Sequence, residues 1–188
     1  RGGGINAAGY CFVANNFVEG NSGGGVCCQG GGSYVNNTIV ANMDGGLYCL
    51  YLGPLLEIAN NIFAYNSYGI SCRTPGTFSA VLRNNCFYNP SGKDYEFVEA
   101  GTGDVQADPR LVAVQYGRIH LQPGSPCIDA GANDLVQPGW VDIDGQARIE
   151  GDFVDIGADE SDGILRDSSP VIIRVSPQGD DSSSGSSW

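Results

Sequence analysis

The chain has 188 residues, enough for one or two ordinary domains, and a formal net charge of −12. Nine bases against 21 acids argue against nucleic acid or an anionic membrane as partner, and no apolar run is long enough to insert directly into a bilayer. The seven cysteines form no Cys-x-x-Cys pair, and the lone His120 completes no Cys/His zinc spacing.

The charge is unevenly placed. Residues 1–92 hold three acids (Glu19, Asp44, Glu57) and three bases (Arg1, Arg73, Arg83), whereas 93–188 hold the remaining 18 acids and six bases; of the 14 Asn only Asn133 lies beyond residue 92. A change of module near residue 92 follows from this shift. The first residue is Arg and the last stretch is Ser-Gly-Ser-Ser-Trp, which reads as a piece of a longer protein.

From the start of the chain one phrase recurs. Gly4-Ile5-x-Ala7 is echoed by Gly25-Val26-x-Cys28, Gly46-Leu47-x-Cys49 and Gly69-Ile70-x-Cys72. After each comes an Asn pair whose second member is Asn16, Asn37, Asn61 or Asn85, in steps of 21, 24 and 24 residues. Residues two apart share one face of a strand, so the phrase predicts an aliphatic column beside a column of small residues. Cys28, Cys49 and Cys72 are read as small buried hydrophobes. Disulfides between neighbours are the alternative, since stacked strands lie ~4.8 Å apart and a bridge tolerates about that separation. Val13, Tyr34, Ile58 and Leu82 align three residues before the second Asn, and Val18, Ile39, Phe63 and Phe87 two after it. No helical i, i+3, i+4 pattern runs through these coils, which are short, apolar-alternating and punctuated by Gly and Asn.

Asn tolerates the left-handed conformation and bonds nearby backbone, and stacked amides can bond along the stack as a ladder. One Asn of each pair is therefore assigned to a bend and the other to an inward ladder; the sequence alone does not say which. A repeat of 20–50 residues means stacked units, and a coil of about 22 residues at ~3.3 Å each has a perimeter near 70 Å, suited to a three-sided parallel β-solenoid. The leucine-rich phrase and the six-residue beat of hexapeptide solenoids are absent. The coils at 1–92 resemble the right-handed parallel β-helix of the pectin-lyase-like superfamily; the resemblance implies an all-β fold and that handedness.

Past residue 92 the beat loosens. Ala107-Asp108-Pro109-Arg110-Leu111 leads to Ile119-His120-Leu121-Gln122-Pro123-Gly124-Ser125-Pro126-Cys127-Ile128-Asp129-Ala130-Gly131, then Val141-Asp142-Ile143-Asp144-Gly145 and Val154-Asp155-Ile156-Gly157-Ala158-Asp159-Glu160. This succession resembles the C-terminal region of bacterial cell-surface β-helix proteins. Residues 93–162 are thus expected to form the last coils and a closing region over the exposed end of the stack, with Val141, Ile143, Val154 and Ile156 pairing as short strands. Residues 163–170 read as a linker. Residues 171–188, with Val171-Ile172-Ile173-Arg174-Val175-Ser176-Pro177, resemble the start of a second β-helix; a stray strand pairing back on the first domain is the alternative.

Chemistry is sparse in the coils. Asp44, Glu19 and Glu57 share no repeat position, Arg73 and Arg83 have no carboxylate cluster in register, and no acid pair is placed for glycoside cleavage. Arg118 and His120 share a strand face and could pair as acid and base. Asp142, Asp144 and Asp155 are candidate oxygen ligands for Ca²⁺, though the loop lacks the further ligands of an EF-hand. Asn36-Asn37-Thr38 matches a glycosylation sequon. Exposed Tyr48, Tyr51, Tyr65 and Tyr68 are candidate sugar-stacking residues, since a ring needs no charge to stack. The expectation is an extracellular or cell-surface module, monomeric, binding polysaccharide or acting as an adhesin. Its rivals are a polysaccharide lyase or glycoside hydrolase with active coils upstream, and an inert stalk.

Overall fold

The computed structural model describes residues 3–51, 55–72, 80–114 and 118–166. Arg73, the end of the expected linker and the segment 171–188 lie outside the described residues, as does the side chain of Tyr51. Up to residue 92 the described residues wind into a parallel β-solenoid of about four turns with three strands each. The first coil carries β1 (Ile5–Ala8), β2 (Cys11–Ala14) and β3 (Phe17–Glu19); the second β4 (Val26–Gln29), β5 (Gly32–Val35) and β6 (Thr38–Val40). The third has β7 (Leu47–Tyr51), β8 (Leu56–Ala59) and β9 (Ile62–Ala64), and the fourth β10 (Tyr68–Cys72), β11 (Ala80–Arg83) and β12 (Cys86–Tyr88). β13 (Lys93–Glu96) and β14 (Val105–Gln106) lie on the last rung. Like strands stack into three parallel sheets, here the first (β1-β4-β7-β10-β13), second (β2-β5-β8-β11) and third (β3-β6-β9-β12-β14). No α-helix occurs among the described residues, and none is long and apolar enough to cross a membrane.

The register follows the apolar columns. Ile5, Val26, Leu47 and Ile70 are partners in the first sheet, as are Ala7, Cys28, Cys49 and Cys72. Val13, Tyr34, Ile58 and Leu82 align in the second, and Val18, Ile39, Phe63 and Phe87 in the third. All face one interior and form a single cluster there, with Phe63 and Phe87 stacked at 5.1 Å. All seven cysteines are free. Cys28, Cys49 and Cys72 run down the core as thiols, and the neighbouring thiols of Cys28 and Cys72 together with burial push the Cys49 thiol well above its ordinary value.

The structure divides the labour within each Asn pair. The first member takes the left-handed bend, with φ of 56°, 54°, 56° and 52° at Asn15, Asn36, Asn60 and Asn84. The second turns inward, and its Oδ1 accepts from the backbone N–H and Nδ2 of the Asn one coil before, at 2.9–3.1 Å along Asn16, Asn37, Asn61 and Asn85. A second ladder, Asn21, Asn42, Asn66 and Asn89, follows the next corner, where Gly20, Ala41 and Tyr65 hold the positive φ. Each ladder ends on an acid. Asp104 Oδ1 accepts from Asn85 and Asp94 Oδ1 from Asn89. The last member need only accept, and a carboxylate does that without an idle N–H.

Residues 93–106 complete the last rung, and beyond them the closing region does not sit over the end of the stack. It docks along the side, because the outward residues of the third sheet are themselves apolar. Val40, Ile62, Ala64 and Cys86 pack against Leu121, Cys127 and Ile156 in a second core. An antiparallel pair, β15 (Leu111–Ala113) and β16 (Arg118–Leu121), starts this layer. Asn84 Nδ2 donates to Ala130 O at 3.0 Å, Asn60 exchanges two bonds with Ala132, and Ala158 N–H donates to Thr38 Oγ1 at 2.9 Å. Trp140 reaches Phe12 of the first coil, ring to ring at 5.5 Å. The expected pairing of Val141 and Ile143 with Val154 and Ile156 does not form: the first two are exposed, the last two are buried against the solenoid, and none lies in a strand. Pro, Gly and Asp keep the segment in turns that follow the sheet surface instead.

Candidate functional site

The outer face of the first sheet carries a groove. Alternation along the strands points Asn6, Cys27 and Tyr48 outward in one row. The row before the strands is occupied by Gly3 and Gly24, so the floor there has no side chains. The result is a hollow of about 570 Å³, walled by Asn6, Gln29, Asp44, Tyr48, Leu50 and Tyr68. Gln29 Nε2 donates to Asn6 Oδ1 at 2.8 Å, fixing both amides. Tyr68 lies across Gly45, whose φ of 97° and missing Cβ give the ring its seat. A bulge after Cys28 inserts Leu50 into the third coil and shifts the pairing so that Gln29 meets Tyr51. The groove therefore combines two aromatic rings, two amides and one carboxylate, enough to stack on a sugar face and bond its hydroxyls.

The four tyrosines do not form one row. Tyr48 and Tyr68 share the groove, and Tyr51 ends the strand beside it. Tyr65 belongs to another face, at the edge of the third sheet. Its hydroxyl donates to Asp108 Oδ1 at 3.3 Å and its ring meets Tyr88 edge-on at 5.5 Å. Burial and the Asp108 carboxylate push its phenol up to about 12. It helps line a smaller hollow of about 360 Å³ with Glu19, Ala41 and residues 111–114. Alternation could have separated these tyrosines, because Tyr65 holds a corner whereas Tyr48 and Tyr68 lie on strands.

Arg83 also stands away from the groove. On the second sheet it bridges Glu57 at 3.1 Å and Asp134 at 2.9 Å, tying the closing region to the coils. Arg118 and His120 share the solvent-side face of β16, alternating with buried Ile119 and Leu121. Asn36, Asn37 and Thr38 are fully buried, so the sequon is closed in the folded chain.

Asp142, Asp144 and Asp155 are not brought together as a set of three converging oxygens. Asp142 accepts from the backbone N–H groups of Asp144, Gln146 and Glu160, and Asp155 from those of Asp129 and Ser161. These carboxylates hold turns. Asp144 instead joins His120 and Asp159. Sequence reasoning also passed over Arg148, the largest fully buried side chain. Its Nη2 donates to the carbonyls of Asp155 and Gly157 at 3.1 and 3.0 Å and lies 3.7 Å from Glu160 Oε2. Burial lowers its pKa despite the acids around it, while burial and Asp155 push Glu160 up to about 8. The Asp-Gly-x-x-Arg spacing was the available signal: an Arg at a fixed step in an acidic turn suits a buried counter-charge.

The model of one protein family, described as disaggregatase related, matches residues 1–134. No curated protein and no solved structure matches the chain.

Proposed function

The chain belongs to the disaggregatase-related family, and from that premise we propose that it is a polysaccharide-binding module of an extracellular or cell-surface protein, its solenoid right-handed and of the pectin-lyase-like kind. The observation that carries this reading is the glycine-floored groove of the first sheet, with Tyr48 and Tyr68 at its walls and Asn6, Gln29 and Asp44 between them. Tyrosine rings offer flat apolar faces to the C–H side of a sugar, and amides both donate and accept towards hydroxyls. A family tied by its description to a disaggregatase is suitable company for a module that grips the material of an aggregate. The resemblance of residues 107–160 to cell-surface β-helix proteins supports the location.

Binding is favoured over cleavage. Glycosidic hydrolysis takes two carboxyl groups flanking the bond, whereas Asp44 is the single acid lining the groove among the described residues. The test is affinity electrophoresis and calorimetry of the chain against neutral and acidic polysaccharides, with unsaturated products and reducing ends followed in parallel. Tyr48→Ala and Tyr68→Ala should each weaken binding by up to about tenfold. Absence of binding across the panel, or binding untouched by the double substitution, would overturn the assignment. Turnover that survives repurification would favour the enzyme.

A further inference from the structure

Away from the groove, one group of ligating atoms joins distant parts of the chain. His120 on β16 turns Nδ1 to Asp159 Oδ1 at 2.9 Å and to Asp144 Oδ2 at 3.3 Å. One ligand atom from each residue lies within 4.8 Å of the other two. Asp159 forms a closed floor, its side chain 3% exposed, while Asp144 at 41% leaves the opposite side open.

A neutral imidazole has at most one hydrogen on Nδ1, and here two carboxylates compete for it. A cation in that hydrogen's place would satisfy all three groups. Around a metal with bonds of about 2.0–2.2 Å, neighbouring ligand atoms stand roughly 2.9–3.5 Å apart, from right-angled to tetrahedral geometry. Both distances from Nδ1 fall in that interval. The imidazole separates this group from the acidic turns around it. Calcium and magnesium take oxygen ligands, whereas a mixed nitrogen and oxygen set suits a borderline transition cation.

The ligands are also held from behind. Leu121 N–H donates to Asp159 Oδ2 at 2.8 Å, and Asp144 N–H to Asp142 Oδ1 at 2.9 Å. Such outer contacts orient first ligands in metal sites.

We propose that His120, Asp144 and Asp159 bind a divalent transition-metal cation of the zinc class, which clasps β16, the 142–145 turn and the 157–160 segment together. Three protein ligands leave a coordination position for water on the Asp144 side.

The test uses the whole chain, stripped with chelator and titrated with Zn²⁺ by calorimetry and with Co²⁺ by absorption. The expected result is about one equivalent bound, with a cobalt spectrum free of an intense thiolate charge-transfer band. His120→Gln and Asp144→Ala should weaken binding by on the order of a hundredfold or more, since each removes a direct ligand. Asp144→Asn, which changes almost no volume, gives the same reading if the others fold poorly. Lack of Zn²⁺ and Co²⁺ binding would overturn the proposal. So would binding undiminished in a folded variant, or a thiolate band placing the metal on the cysteines.

Discussion

Replacing Asn61 by Leu removes one rung of a ladder whose partners cannot be re-solvated. Asn61 Nδ2 donates to the carbonyls of Ala59 and Tyr34 and to Asn85 Oδ1, at 2.9, 2.8 and 3.0 Å. Its Oδ1 accepts from Asn37 N and Nδ2 at 3.0 and 2.9 Å. Several of these partners have a second bond to fall back on. Asn37 Nδ2 keeps Val13 and Val35, Ala59 O keeps Asn36 N–H, and Asn85 Oδ1 keeps Asn61 N–H. The Asn37 backbone N–H loses its acceptor inside a fully buried bend. An orphaned buried donor costs about 1–3 kcal/mol and a lost net hydrogen bond about 1, so the loss should be about 3 kcal/mol. With a urea slope near 2 kcal/mol/M, the midpoint should fall by roughly 1.5 M. Asn16→Leu is the internal control: it is half-buried at the start of the ladder and loses only its bonds to Ala14 O and Asn37 Oδ1. That change should cost about 1 kcal/mol. The assay is urea unfolding followed by far-UV circular dichroism. An Asn61→Leu chain that unfolds with the parent, or falls no further than Asn16→Leu, would refute the ladder's role in stability.

Three further outcomes are expected. Asp104 accepts two bonds on each oxygen, from Asn85 on one and from Tyr95 OH and Gly101 N–H on the other. Asp104→Asn must turn an NH₂ towards one of those donors and should cost about 1–3 kcal/mol by the same urea assay, despite its near-identical shape. At Gly45 an added Cβ would strike the Tyr68 ring. Gly45→Ala should therefore weaken sugar binding by up to about tenfold, read by calorimetry on chain shown to be folded. Brief treatment of the native chain with a bulky maleimide should label half-buried Cys11 and Cys27 and spare Cys28, Cys49 and Cys72. Peptide mass spectrometry reads this directly, and early modification of all three core cysteines would contradict their burial.

The solenoid was legible because its marks are redundant. A glycine, an aliphatic residue and a small residue recur in step, so each column is fixed by several coils at once. The role of each Asn was not legible, because both members of a pair tolerate a bend and both can bond backbone. Only the backbone angle separates Asn60 at φ 56° from its inward neighbour Asn61. At the next corner the bend is held by Ala41 and Tyr65, residues with no preference for that conformation, and only the recurring Asn after them hinted at a second ladder. The succession of phrases past residue 106 carried no sign of where that segment would lie. Its apolar residues face a partner surface, the outward side of Val40, Ile62 and Cys86, which alternation alone would assign to water. His120, Asp144 and Asp159 are likewise joined by that docking: their sequence spacings of 24 and 15 match no local loop.

In a plain stack each coil touches only its neighbours, and the structure can fray from a free end one rung at a time. The bonds of residues 130–158 to Asn84, Asn60 and Thr38, with Trp140 on Phe12, bring one lateral strap into contact with all four coils. The first coil then cannot peel away without breaking its hold on a segment also anchored to the fourth. Thermal unfolding of this molecule should be one steep transition, and amide exchange in the first coil should be slowed beyond what a terminal rung would show. Deleting the chain from residue 122 onward would remove the strap and restore stepwise melting from the exposed end.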